Sequence, residues 1–433
     1  MATDVEVQYF SHLNGLVLGN NWGDLIRLLD KALVTGIDFT QITAASIDAQ
    51  GDIHITLFAA HNAMLFQVVE LSGFTPNALD QKYRIKGVPS TTQLILKPKD
   101  SITGTTISVV GNGKLAPLGY DIIFRDVNDV KRVYRAKNPT AQHPFIRVDE
   151  SLTSPDGATG IYKSTYAKYA MVGLLEHMEH IDDYEIPDVL QLPFDPSNPA
   201  KNWKIAGSDS SVVRGWSRWY WARGGSDIFN TSADSSAPAT ASRSFTIAGD
   251  KDAFYFLSAP GTKVNYKTLK GCGLFTSALP DGVVKNWFLM STIKSDTAAT
   301  SYEEYRAFGA TPLTNLGQAS YTSYTFHVPT FNEASPLSAH IPTSPILPDS
   351  GTGYSALFSG TAISALEVPF SDTQKKLRGT LKHVMYSGIY LSNLVETTPV
   401  ISGSSMYIND SLATIMSGNV YTGGLTFYLG EIE

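Results

Sequence analysis

Hydrophobic positions recur at helical spacing at one place near the start of the chain. In "NNWGDLIRLLDKALVTG", residues 20–36, Trp22, Leu25, Ile26, Leu28, Leu29, Ala32 and Leu33 follow a 3.6-residue period. Asn21 is the expected cap and Gly36 the expected stop. From residue 37 the period becomes two. "DIHITLF" alternates Ile53, Ile55 and Leu57 against His54 and Thr56. "AMLFQVVEL", "KYRIKGV", "TQLILKP", "TISVVG", "YDIIFRDV" and "KRVYRAK" follow, parted by Gly, Pro and Asn. Short strands at about 8–12-residue spacing predict a β-sandwich or small barrel. This N-terminal β domain, with its leading helix, is expected over residues 1–150.

A second helix is predicted around residues 162–180. Tyr162, Tyr166, Tyr169, Ala170, Val172, Leu174, Leu175 and Met178 fit one face, and Pro187 stops the run. The remainder reads as strand again: "KNWKIAG", "SFTIAG", "AFYFLSA", "KNWFLMSTI", "YTSYTFHV", "GTLKHVMYSGIYLSN" and "LTFYLGEI". "NTSADSSAPATASRS" and "NEASPLSAHIPTSPILPDSGTG" are small, polar or Pro-rich and read as loops. Residues 151–433 are therefore expected to form a larger β-rich domain, with a candidate division near 300–350. The predicted class is mainly β: sandwich- or barrel-like domains with a few short helices.

Charge changes this picture. The 433 residues are 43% hydrophobic, enough for a core, but only 17% charged against roughly 25% in an average protein. The net charge is −7 and no basic run exceeds two residues, so a general nucleic-acid binder is not expected. Residues 307–366 carry only Glu333 and Asp349 as charges, and residues 383–430 only Glu396 and Asp410. Faces depleted in charge suit contact with other subunits. One cysteine, Cys272, excludes an internal disulfide and reads as a small buried hydrophobe. The start "MATDVEVQYF" lacks the pattern of a signal peptide, and no apolar run approaches the roughly 20 residues of a membrane span. Folding in a reducing cytoplasm, without membrane insertion, is the expectation.

Three stretches carry candidate chemistry. "EHMEHIDDYE" puts His177 and His180 three apart on the predicted helix, with Asp183 as the nearest third ligand for a zinc ion. The order is not H-E-x-x-H, and an acidic helix end with solvated histidines is the plainer reading. "AGDKDAFYFL" offers Asp250 and Asp252 but lacks the closing Glu of a calcium loop, so a charged turn feeding an aromatic strand is expected. No G-x-S-x-G elbow and no P-loop occurs. "VVRGWSRWYWARGG", residues 212–225, concentrates three of the six tryptophans with three arginines. On a strand both faces hold rings and guanidinium groups, whereas a ligand platform would gather them on one open face. Trp216, Trp219, Trp221 and Arg218 are therefore assigned to packing or an interface. Arg214, Arg218 and Arg223 are expected to meet the acidic run 176–195.

The chain resembles virion structural proteins of tailed bacteriophages. The residues that carry the resemblance are "GYDIIFRDVNDVKRVYRAKNPTAQHPFIRVDES", "NWKIAGSDSSVVRGWSRWYWARG", "FTIAGDKDAFYFL" and "KKLRGTLKHVMY", in that order over most of residues 80–400. The resemblance implies a tail or baseplate component without enzymatic activity or cofactor. It would be assembled in the host cytoplasm as a homo-oligomer alongside other tail or baseplate proteins. Two other readings stay open: a receptor-binding tail protein gripping host-surface glycan, and a polysaccharide or cell-wall hydrolase whose carboxylate pair has no local motif.

Overall fold

The computed structural model describes residues 3–104, 106–154, 162–206, 213–224, 235–280, 284–293, 326–330, 341–346, 366–372, 374–388, 394–416 and 419–433. The fold is mainly β, with several antiparallel sheets and a single α-helix among these residues. No helix here is long and apolar enough to cross a membrane.

Residues 37–115 form a seven-stranded sheet in the order Ile37–Asp38, Asn112–Leu115, Val68–Ser72, Lys82–Ser90, Gln93–Pro98, Ile53–Leu57, Ile42–Ile47. Period-two alternation explains the neighbouring strands Ile53–Leu57 and Gln93–Pro98. Ile53, Ile55 and Leu57 point inward opposite Leu94 and Leu96, while His54 and Thr56 stay half-exposed. "TISVVG" forms no strand and contributes only an isolated bridge, Val109 to Thr75.

A central sheet follows, ordered Thr292–Ile293, Ser217–Ala222, Lys168–Leu175, Phe145–Asp149, Lys131–Ala136, Tyr120–Arg125. Lys168–Leu175 is thus a strand, and the helix predicted around 162–180 does not exist. The reason is burial on both faces. All eight residues of this strand are buried, Tyr169 in one core cluster and Ala170, Val172 and Leu174 in another. A two-sided buried strand reads as a continuous apolar run, which helical spacing also matches. The same sheet crosses position 150, since Phe145–Asp149 pairs with Lys168–Leu175. The division near 300–350 falls largely outside the described residues.

A third sheet is long. It runs Gln8–Ser11, Phe245–Gly249, Ala253–Ser258, Thr268–Leu274, Trp287–Met290, Phe326–Val328, Ile341–Pro345, Leu366–Asp372, Leu377–Gly388, Asn419–Glu431, Ser405–Met416, Thr398–Ser402. It separates two cores. Phe254, Phe256 and Cys272 face one core together with Leu25, Leu29, Trp219 and Trp221. Tyr255, Leu257 and Phe288 face the other together with Phe370, Ile408 and Phe427. Cys272 is fully buried, and burial pushes its thiol well above the ordinary range, so it is inert packing.

The leading helix lies where its period predicts, Asp24–Leu29, continued by a wider-wound π turn over Asp30–Thr35. Gly36 ends it at φ +73°, where a Cβ would stand 2.1 Å from the Leu115 carbonyl oxygen. Asn21 is not the cap. The buried Glu150 carboxylate instead accepts the Gly23 N–H and, at 3.0 Å, the Ile26 N–H. An anion belongs at this end because the first N–H groups of a helix have no partner within it.

Buried arginines bind distant segments. Arg84 donates to the carbonyls of Asp4 (2.8 Å), Val7 (2.9 Å), Phe66 (2.7 Å) and Leu429 (3.0 Å). Replacing it removes the donors of four carbonyls, three of them in buried hydrogen bonds. Arg84→Met is expected to lower unfolding free energy by about 3–5 kcal/mol, read by urea denaturation. Arg84→Lys should recover only part of the loss, because an ammonium cannot span the fork.

Candidate functional site

Residues 214–224 of the aromatic stretch are buried inside the chain. Val213–Arg214 and Ser217–Ala222 are strands joined through Gly215, whose φ of +65° and close approach to the Asn202 carbonyl leave no room for a side chain. Trp219 and Trp221 are fully buried. Trp219 meets Phe254 edge-on at 5.8 Å and stacks over Phe256 at 6.3 Å. Trp221 meets Trp22 edge-on at 5.7 Å. Neither indole N–H has an acceptor among the described residues, so both rings act as apolar slabs. Trp216 is buried, with the Lys201 ammonium 4.2 Å from its ring.

The arginines take the other face. Arg214 lies 4.8–5.5 Å from the centres of Tyr169, Trp22 and Tyr162. It donates to the carbonyls of Ser151 (2.8 Å), Asp149 (3.3 Å) and Tyr169. Arg218 stands 5.3 Å from both Tyr169 and Tyr220, and Arg223 5.0 Å from Tyr220. Arg214 therefore meets backbone carbonyls and rings rather than the acidic run 176–195. That run is met by others: Asp182 by Lys131 (2.9 Å) and Arg147 (2.7 Å), Glu176 by Lys285 (3.1 Å) and Asp195 by Lys201 (3.8 Å).

With no helix beneath them, His177 and His180 do not share a helical face. His177 is exposed and pairs with the exposed Glu179 at 3.3 Å. The His180 Nδ1 accepts the Asp182 N–H at 3.3 Å, and the Asp183 carboxylate accepts the N–H groups of Glu179 and His180. Asp183 thus folds a loop. Among the described residues, no three His, Cys, Asp or Glu side chains gather as a metal-ligand set.

The turn "GDKDA" is a second site of charged groups. It joins Phe245–Gly249 to Ala253–Ser258. The Asp250 carboxylate accepts the N–H groups of Asp252 (2.8 Å) and Ala253 (3.0 Å) and contacts His383 Nε2 at 2.9 Å. Asp252 contacts His143 Nε2 at 3.0 Å and accepts from Lys382 at 2.6 Å. The Thr140 N–H donates to His143 Nδ1 at 2.9 Å, so the ring proton sits on Nε2 and points at Asp252. His383 reaches Asp250 from a left-handed backbone, φ +63°, which few non-glycine residues adopt. The hydrogen bond from His143, then Lys382, holds the Asp252 carboxyl far below the ordinary range against partial burial. Burial opposes ionisation of Asp250, but the His383 hydrogen bond and charge outweigh it. This arrangement clamps three chain segments, residues 140–143, 249–253 and 382–383. The sequence showed the aspartates as a charged turn but gave no sign of His143 or His383, which lie more than a hundred residues away.

No protein-family model matches the chain, and no curated protein matches it. Among solved structures it is similar to the endosialidase of phage phi92, at 10% identity and a TM-score of 0.14, over 92% of this chain and 52% of that one. The chain spans about half the length of that protein. At that TM-score the likeness carries no argument about fold or activity.

The clamp has a defined pH response. A carboxyl whose folded value is depressed contributes stability above its unfolded value, near 3.8, and loses it as pH falls through the folded value. Asp252→Asn is expected to lower stability at pH 7 by about 1–3 kcal/mol. It should also flatten the decline in melting temperature below pH 4. A variant as acid-sensitive as the parent would remove Asp252 from the clamp.

Proposed function

We propose that this chain is a structural component of a tailed-phage virion, in the tail or baseplate, working as a rigid non-enzymatic part. One observation carries the reading: the aromatic and basic strand Ser217–Ala222, the richest candidate for ligand chemistry, is spent on packing. Its tryptophans join a core that also contains Leu25, Leu94 and Phe254, so sequence-distant segments share one hydrophobic body. The buried carboxylates are committed in the same way. Glu150 caps the helix, Asp149 pairs with Arg147 at 2.9 Å and Asp410 with Lys267 at 2.5 Å. A glycosidase would instead hold two carboxyl groups facing each other across a groove, about 5–10 Å apart.

In this reading the chain folds in the host cytoplasm and joins copies of itself and other tail or baseplate proteins. Symmetry repeats each contact around the tail axis. It needs no cofactor, does not bind nucleic acid and does not enter a membrane. Its mechanism is mechanical, with stiff sheets holding neighbours in register.

Gold-labelled antibody against the chain, imaged on purified virions, is expected to mark the tail or its base. Virions lacking the chain would overturn the proposal. So would release of reducing sugar from host envelope by the purified protein.

A further inference from the structure

Lys267 and Asp410 face each other with both side chains fully buried, Nζ to Oδ1 at 2.5 Å. Lys267 stands just before the strand Thr268–Leu274, and Asp410 lies within Ser405–Met416. The sheet order separates these two strands, so no ladder joins them. The Ala413 N–H donates to the Lys267 carbonyl at 2.8 Å, which holds the two main chains together beside the pair. The second carboxylate oxygen of Asp410, Oδ2, accepts the hydroxyls of Thr246 (2.6 Å) and Thr397 (3.0 Å). Oδ1 also accepts the Ser411 N–H at 2.7 Å.

The two partners are unequally satisfied. The carboxylate has four donors, counting Lys267. The ammonium has three N–H bonds and, among the described residues, Asp410 as its one acceptor. A buried cation with open donors is costly, and two charges in an apolar interior are favoured only with full hydrogen bonding. Proton transfer along the contact turns the pair into an amine and a carboxylic acid and removes both charges. Contact with Oδ1 keeps that amine no more than about 3.8 Å from the carboxyl carbon, near the ~3–3.5 Å of a reacting pair. Lys270 makes the contrast: it is equally buried but touches only the hydroxyls of Ser258 and Thr268, which offer nothing for an amine to attack.

We propose that Lys267 and Asp410 condense into an intramolecular amide, a covalent cross-link between strands that share no ladder. The neutral nitrogen attacks Cγ of Asp410, and the Thr246 and Thr397 hydroxyls donate to Oδ2 as it takes on negative charge. The nitrogen then gives up a second proton. Oδ1 departs with both protons as one water, so a C–N bond replaces a C–O bond and no oxidant or reductant is needed. Oδ2 becomes the amide oxygen and keeps its two hydroxyl donors, while the nitrogen keeps one N–H in place of three. A dry site removes the competing solvent, and the held geometry replaces the encounter of a free amine with a free acid. The cross-link is independent of where in a virion the chain resides.

The test is the mass of the purified full chain, measured after denaturation. It is expected to fall short of the sequence mass by one water. Trypsin does not cut at an acylated lysine, and residues 383–433 contain no Lys or Arg. The cross-link should therefore yield one branched peptide, residues 264–270 joined to residues 383–433. Lys267→Arg keeps the charge and should show the full mass and no branched peptide. In a cell-free synthesis time course, Thr246→Val with Thr397→Val should slow the appearance of the branched peptide at least about tenfold. A parent chain of full mass, with residues 264–267 released as a free peptide, would overturn the proposal. So would a water loss that persists in Lys267→Arg, or branching at an unchanged rate in the hydroxyl variant.

Discussion

A guanidinium group buried among backbone carbonyls is the interaction on which this structure rests. Arg84, Arg214 and Arg243 each gather at least three carbonyl oxygens. Where a register shifts, as at Leu429 and Tyr169, or a strand gives way to loop, carbonyls face inward without a ladder partner. Such groups are costly to bury unsatisfied. Five N–H donors in a fixed fork satisfy several at once, and the aliphatic stem packs as a hydrocarbon. The ion keeps its charge at physiological pH. Burial lowers Arg84 only to about 10.

The acids play the mirror role. Asp126 accepts the N–H groups of Val130 and Lys131, Asp372 those of Gln374 and Lys376, and Asp48 those of Gln50 and Asp52. Glu150 does the same for the helix start. A chain with few charges thus uses many of them as ligands for its own backbone. Ion pairs remain where they join parts. The buried Lys267–Asp410 pair also takes hydroxyl donors from Thr246 and Thr397, linking strands far apart in the sequence.

Strands with one wet face were legible in the sequence. Ile53–Leu57 and Gln93–Pro98 lie where alternation places them, and the helix begins and ends within a few residues of its predicted span. Lys168–Leu175 was misread because both of its faces are dry, which erases the period-two signal. Trp219 and Trp221 lie in the core, and the partners of Arg214 left no mark in the sequence. Carbonyls carry no residue identity, so no sequence pattern marks them. The His143–Asp252 and His383–Asp250 contacts join residues whose proximity only the sheet order creates. The shared sheet hid the relation between residues 120–149 and 168–222 for the same reason: antiparallel neighbours need not be neighbours in sequence.

The pairing of Gln8–Ser11 with Phe245–Gly249, and of Arg84 with the Leu429 carbonyl, bears on synthesis. A ribosome delivers the early residues long before their partners. Gln8–Ser11 must wait for its neighbouring strand, and a charged side chain must wait for an oxygen 345 residues downstream. Loops of that length close slowly, and the waiting edges can pair with the wrong chain. The nascent protein therefore keeps an unpaired strand edge and an unmatched guanidinium until the late strands arrive.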